Sequence, residues 1–289
     1  SADVIDQLAT LIARLKADGH TIIIAEHRLS FLSGIADRVY CFDKGNIALT
    51  ATGEEFYATP ETERKQLGLR SLVTVPMPQL PQPAGEGLTI DNLTFAYQHG
   101  NTVLNIDHAL FPAGKITALL GPCGSGKSTL ARIICGLEKA KHTSITLNGQ
   151  KFASRDAYLV MQDPTRQLFS DTVIDEVTLG TTKAEKQHID AHAILEELDL
   201  AEHESDHPQA LSGGQRQRLV IATALAANKK VYIFDEPTSG VGYKHLVAIS
   251  RVMRKLADTG AVVIVITHDA ELVTEVADHS VRLDQINAC

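Results

Sequence analysis

Residues 121–129, Gly-Pro-Cys-Gly-Ser-Gly-Lys-Ser-Thr, leave this chain the fewest options. They fit the pattern GxxxxGK[ST]. An apolar run, Ile116–Leu120, precedes them and a helix-like run, Thr129–Gly136, follows. Glycines let a backbone curl until several N–H groups face one anion, and the positive end of the following helix points at the same place. The spacing therefore predicts a strand, a phosphate-holding loop and a helix. Gly121, Pro122, Cys123, Gly124, Ser125, Gly126, Lys127, Ser128 and Thr129 form the loop. Lys127 can reach the β- and γ-phosphates of a nucleotide, and the Ser128 hydroxyl can ligate Mg²⁺.

A second apolar run, Val231–Phe234, ends in Asp235-Glu236. On a parallel-sheet strand both carboxylates emerge at the C-terminal edge, where α/β proteins bind ligands. Asp235 suits magnesium, and Glu236 suits activation of an attacking water.

The chain also repeats itself at an offset of 241 residues. Ile22 through His27 match Val263 through His268, Ala36-Asp37 match Ala277-Asp278, and Asp43 matches Asp284. Both copies read as helix, Gly stop, apolar strand, His, short helix, strand, which places strands at Thr21–Ala25 and Ala261–Thr267. So long a period means a duplicated domain. The second copy extends back to about Leu88, whereas the first starts level with Gly242. Residues 1–70 are therefore expected to be the C-terminal part of a first domain, and 88–289 a complete second one. Between them, 71–87 carry Pro76, Pro78, Pro81 and Pro83 and form an extended linker.

Composition excludes several classes. A net charge of −8 argues against a general nucleic-acid binder. Cys41, Cys123, Cys135 and Cys289 form no CxxC pair, so neither a zinc site nor a disulfide framework is indicated. No apolar run approaches the roughly 20 residues that span a bilayer.

Leu211-Ser212-Gly213-Gly214-Gln215 narrows the reading further. LSGGQ followed by Arg216-Gln217-Arg218 resembles the signature of ATP-binding cassette (ABC) ATPases. Physically it is a Ser/Gly helix start with free N–H groups, suited to an anion. The resemblance implies an α/β P-loop NTPase fold with a β-rich subdomain, a parallel-sheet core and a helical subdomain. It also implies an ATPase using ATP and Mg²⁺.

Residue by residue, Tyr97 resembles the aromatic that stacks on adenine. Gln162 resembles the glutamine that senses magnesium and faces the membrane partner. His268 resembles the histidine at the γ-phosphate, and His27 holds the same place in the first copy. Magnesium would take Ser128, Gln162 and Asp235; catalysis would rest on Glu236, His268 and Gln162. Ser212, Gly213, Gly214 and Gln215 would serve ATP held by an opposite domain. One departure stands out. After Gly240 the family has a hydrophobic residue and then Asp, which bridges the two domains; here Val241 is followed by Gly242.

Residues 162–169, Gln-Asp-Pro-Thr-Arg-Gln-Leu-Phe, with Thr172-Val173 and Glu176-Val177, look like the energy-coupling-factor importers of cobalt and vitamins. That resemblance implies a transmembrane transporter subunit and a second ATPase domain as partners, either within the full-length chain or in a homodimer. It places the protein peripherally at the cytoplasmic face of the membrane, with no nucleic acid expected. The alternative is a soluble cassette ATPase of translation or DNA repair. The short proline-rich linker and the lack of sustained heptads between Lys127 and Ser212 weigh against it.

Overall fold

The computed structural model describes residues 2–43, 45–98, 100–141, 143–182 and 186–288, with side chains from Ile5 onward. Ser1 and Cys289 thus lie outside the described residues. Two compact units emerge. One is Ser1–Pro76 with Gly240–Lys244; the other is Met77–Ser239 with His245–Cys289.

The larger unit holds the phosphate loop. Its core is a five-stranded sheet built from β5 (Ile116–Leu120), β8 (Ala157–Val160), β9 (Val231–Asp235), β10 (Val262–Ile266) and β11 (His279–Arg282), in the order β11-β5-β10-β9-β8. Every pairing is parallel. All five residues of β5, β9 and β10 are buried. Continuous apolar runs such as Val262-Val263-Ile264-Val265-Ile266 are what a strand covered on both faces requires.

An antiparallel sheet supplies the β-rich part. It runs in the order β4-β3-β6-β7, from β3 (Gly87–Ala96), β4 (Thr102–Pro112), β6 (Ser144–Leu147) and β7 (Gln150–Lys151). Leu88, Ile90, Leu93, Leu104, Ile106 and Phe111 from its long hairpin join Leu119, Leu130, Ile233 and Ile264 in one core. The helical part includes α5 (Val173–Val177), α6 (Ala191–Glu197) and α7 (Gly213–Ala226). Arg218, 5% exposed, donates to the carbonyls of Leu198 and Asp199 just beyond α6. It thereby satisfies backbone acceptors that a helix end leaves over.

The smaller unit contains α1 (Ala2–Ala17), the antiparallel pair β1 (Arg38–Asp43) and β2 (Asn46–Thr52), α2 (Gly53–Tyr57) and α3 (Glu61–Gln66). Thr52 and Glu55 form a reciprocal capping box at the start of α2. The loop 240–244 belongs here as well: the Tyr243 N–H donates to the Gly68 carbonyl at 2.9 Å, and the Arg64 guanidinium lies 5.1 Å from the Tyr243 ring centroid.

The structure corrects one expectation. Thr21–Ala25 is not a strand. Its counterpart β10 lies between β5 and β9, but among the described residues 21–25 have no strand beside them. Without partners an extended segment makes no ladder, however apolar. The burial of the two copies differs in the same way. Leu11, Ile23 and Phe42 are 50%, 94% and 69% exposed, whereas their equivalents Val252, Ile264 and Leu283 are at most 1% exposed.

Candidate nucleotide site

Parallel strands deliver the predicted chemistry to one edge. β5 ends at Leu120 and runs into the phosphate loop. β9 ends in Asp235, β10 runs into Thr267-His268, and β8 precedes Gln162 by two residues. Because Ile266 is level with both Asp235 and Leu119, these ends lie side by side.

The loop curls at Gly121, Gly124 and Gly126, all at positive φ. At Gly126, φ is 96°, a conformation that favours glycine, and an added Cβ would lie 2.7 Å from the tip of the Leu104 side chain. Helix α4 (Lys127–Ile134) starts there, and its first N–H groups have no partner within the helix. The Lys127 ammonium is folded over the loop, donating to the carbonyls of Gly121 (2.8 Å) and Pro122 (2.7 Å). Burial pushes its pKa down, while Cys123, Glu236, Asp235 and Asp284 favour its charged form. The Ser125 hydroxyl oxygen is buried without a hydrogen-bond partner among the described residues. An orphaned donor inside a ring of glycines fits an anion.

Asp235 is 8% exposed, and burial raises its pKa. The Ser128 hydroxyl and the Lys127 and Arg132 charges pull the other way. Ser128 and Asp235 thus present two hard oxygen ligands in contact with each other, the donor type that magnesium takes. Tyr97 is 40% exposed just past β3, and its hydroxyl lies 3.1 Å from Thr129 Oγ1. Its ring meets Phe95 edge-on at 4.9 Å. The Cys123 thiol lies 3.9 Å from His268 Nε2.

Glu236 is held in an uncommon conformation. Its φ is +49°, and its N–H donates to the Ile266 carbonyl at 2.8 Å. Strained backbone of this kind persists only where the surroundings fix it. The surroundings here form a closed relay. Thr267 Oγ1 donates to Glu236 Oε2 at 3.2 Å and accepts the Asp269 N–H at 3.0 Å. Asp269 Oδ2 accepts the Thr238 hydroxyl at 2.6 Å, and Oδ1 accepts the N–H groups of Glu271 and Leu272. His268 Nε2 lies 3.9 Å from Glu236 Oε1. Thr267, Thr238 and Asp269 escaped the sequence reading. The one local signal was Asp269 as a helix N-cap ahead of Ala270.

Gln162 is exposed in the loop after β8. That loop is braced from both sides. The Met161 N–H donates to Gln167 Oε1 at 2.6 Å, while Glu176, 1% exposed, accepts the N–H groups of Phe169 and Ser170. Glu176 too was missed as a functional candidate, since its partners become visible only once the loop folds back.

Ser212 caps α7, forming a capping box with Gln215. Added Cβ atoms at Gly213 and Gly214 would meet nothing within 4 Å, so the backbone at this helix start is open. Among the described residues no hydrogen bond joins the signature to the phosphate loop. His27 is exposed in the smaller unit, where an added Cβ at Gly242 would lie 3.7 Å from its Nδ1 and 3.1 Å from the Gly68 carbonyl oxygen.

A phosphate loop, a strand-end Asp-Glu pair, a signature helix and a strand-end histidine on this sheet define an ABC-type ATPase domain. Residues 104–239 match the family model described as ABC transporter. The chain is 37% identical over 282 residues to a putative ABC transporter ATP-binding protein of Treponema denticola, covering 93% of this chain and 57% of the relative. A protein of the same description from Bacillus cereus is 33% identical over 92% of this chain and 55% of its own length. The chain thus spans a little over half the length of these relatives. Among solved structures, an ATP-binding subunit of an ABC transporter matches with a TM-score of 0.60 and 25% identity, over 68% of this chain and 85% of that one. CbiO1 from Clostridium perfringens, part of the ABC transporter complex CbiONQ, matches with a TM-score of 0.58 and 27% identity, over 68% and 84%. Residues 104–239 thus match the ABC transporter family, whose ATP-binding domains hydrolyse ATP, and the fold is that of an ABC ATPase domain.

Proposed function

We propose that this chain is part of a two-headed ATPase that energises uptake of a vitamin or metal ion through a separate membrane subunit. The observation that carries the reading is the convergence of Lys127, Ser128, Asp235, Glu236 and His268 on one sheet edge. ATP would stack its base on Tyr97 and lay its phosphates along 121–129. Ser128, Asp235 and Gln162 would hold magnesium, which when bound neutralises charge on the β- and γ-phosphates. Glu236, fixed by Thr267, would orient the attacking water, and His268 would contact the γ-phosphate.

Ser212–Gln215 would complete a nucleotide site on the other head, and His27 would serve that site. Residues 1–70 would be the C-terminal part of that head and 71–87 the linker. Supporting this are the apolar positions exposed in the first copy but buried in the second, and relatives of nearly twice the length. The names of the relatives favour transport over translation or DNA repair, and the likeness to CbiO1 favours an importer of the energy-coupling kind. Among the described residues no helix is long and apolar enough to cross a membrane. The likeness to ABC transporter ATP-binding proteins favours a membrane path in a partner, with this chain at the cytoplasmic face.

The test compares residues 1–289 with the full-length protein. The shorter chain is expected to hydrolyse ATP slowly, at a rate per molecule that rises with protein concentration. The two-headed protein should turn over at a rate independent of concentration. Brisk, concentration-independent turnover by 1–289 would contradict the paired-head reading.

A further inference from the structure

The signature is held from behind by a chain of hydrogen bonds that ends on a titratable ring. The Ser212 N–H donates to Gln215 Oε1 at 2.7 Å, and the Gln215 N–H donates to Ser212 Oγ at 3.3 Å. With its oxygen committed, the Gln215 amide turns its NH₂ group toward His203, where Nε2 lies 2.7 Å away. An NH₂ group only donates, so His203 Nε2 must be a bare acceptor. The ring proton then sits on Nδ1, which faces Asp206 Oδ2 at 2.7 Å. From Asp206 to Ser212 every donor faces an acceptor, provided that His203 is neutral.

Adding a proton breaks this order. Both ring nitrogens then donate, and Nε2–H confronts the Gln215 NH₂ across 2.7 Å. Rotating the amide would relieve the clash by presenting Oε1 to the ring, but it would turn NH₂ toward the Ser212 N–H and break the side-chain half of the capping box. We infer that His203 is a proton-sensing positioning residue for the signature: neutral, it holds the Gln215 amide on the Ser212 N–H; protonated, it breaks that bond and loosens the start of the helix. The functional consequence rests on the proposal above that this signature contacts ATP on the opposite head.

The His203 side chain is 31% exposed, so protons reach it from solvent. Glu204 pairs with His192 at 2.6 Å, Arg216 donates to the carbonyls of Leu211 and Gln209, and Arg218 donates to those of Leu198 and Asp199. Glu202 lies next in the chain.

The test uses full-length protein labelled with ¹⁵N-serine and ring-¹³C histidine, taken from about pH 8 to 5.5, the window in which imidazoles change charge. The Ser212 N–H resonance should move with the same midpoint as the His203 ring. In His203→Gln a carbonyl replaces Nε2 as a non-titrating acceptor, and that inflection should vanish. ATP turnover of the wild type should fall roughly fivefold further than that of His203→Gln over the same range, the scale of one net hydrogen bond. A Ser212 resonance that stays flat while His203 titrates would overturn the inference, as would a wild-type pH profile in His203→Gln. Because the resonance arm needs no nucleotide, absence of ATP turnover would count against the functional reading alone. If His203→Gln does not fold, the wild-type Ser212 titration decides.

Discussion

Replacing Asp269 by alanine tests whether the relay behind Glu236 is built as described. The side chain is 4% exposed and accepts hydrogen bonds from Thr238, Glu271 and Leu272. Two come from the first N–H groups of the helix Ala270–Val276, and losing such a cap costs about 1 kcal/mol. The third comes from Thr238, itself 1% exposed. Leaving that hydroxyl buried without its acceptor costs roughly 1–3 kcal/mol more. Asp269→Ala should therefore destabilise the fold by roughly 2–4 kcal/mol. Asp269→Asn keeps the cap and a partner for Thr238, and should stay within about 1 kcal/mol of wild type. With no tryptophan in the chain, urea unfolding followed by far-UV circular dichroism is the assay. Equal midpoints and slopes for wild type and Asp269→Ala would refute the relay.

Two further outcomes follow from the site. Lys127→Ala removes the ammonium above the phosphate loop, so MgATP affinity by titration calorimetry should fall at least about tenfold, the scale of one charge-assisted hydrogen bond; unchanged affinity would contradict its role. Asp235→Asn should raise stability in the absence of nucleotide while weakening magnesium-dependent ATP binding. The sign follows from the raised pKa: burial disfavours the charged carboxylate, so its penalty is fully present above the folded pKa and disappears below the ordinary value of 3.8. The gain in urea midpoint should thus shrink as pH falls toward 3.8, and a gain that grows on acidification would contradict it.

What the sequence made legible was chemistry fixed by neighbours in the chain. β5, β9 and β10 were visible because an apolar strand followed by Gly121, Asp235-Glu236 or Thr267-His268 carries its own end mark. The Ser212–Gln215 capping box is likewise a four-residue pattern. Relations across strands stayed hidden. Thr267 reaches Glu236 only because β9 and β10 are adjacent and in register at Asp235 and Ile266. The His203–Gln215 contact depends in the same way on packing within the helical part. Thr21–Ala25 failed as a strand for the converse reason: its composition is right, but strand identity belongs to a ladder, which needs partners. Gly242, noted in the sequence as a missing aspartate, now has a local reason. A side chain there would press on the Gly68 carbonyl, 3.1 Å from its Cβ.

The proposed role of Glu236 is to activate water for ATP hydrolysis at the edge of this sheet. Its most direct measurement is MgATP affinity and turnover of full-length Glu236→Gln, alongside wild type. Glutamine keeps the shape and can still accept from Thr267, but it loses the basicity. Near-wild-type MgATP affinity is expected, with turnover at this site reduced about 10²-fold or more, the scale of a lost general base. Near-normal turnover at this site, measured with the proposed second head disabled, would contradict it.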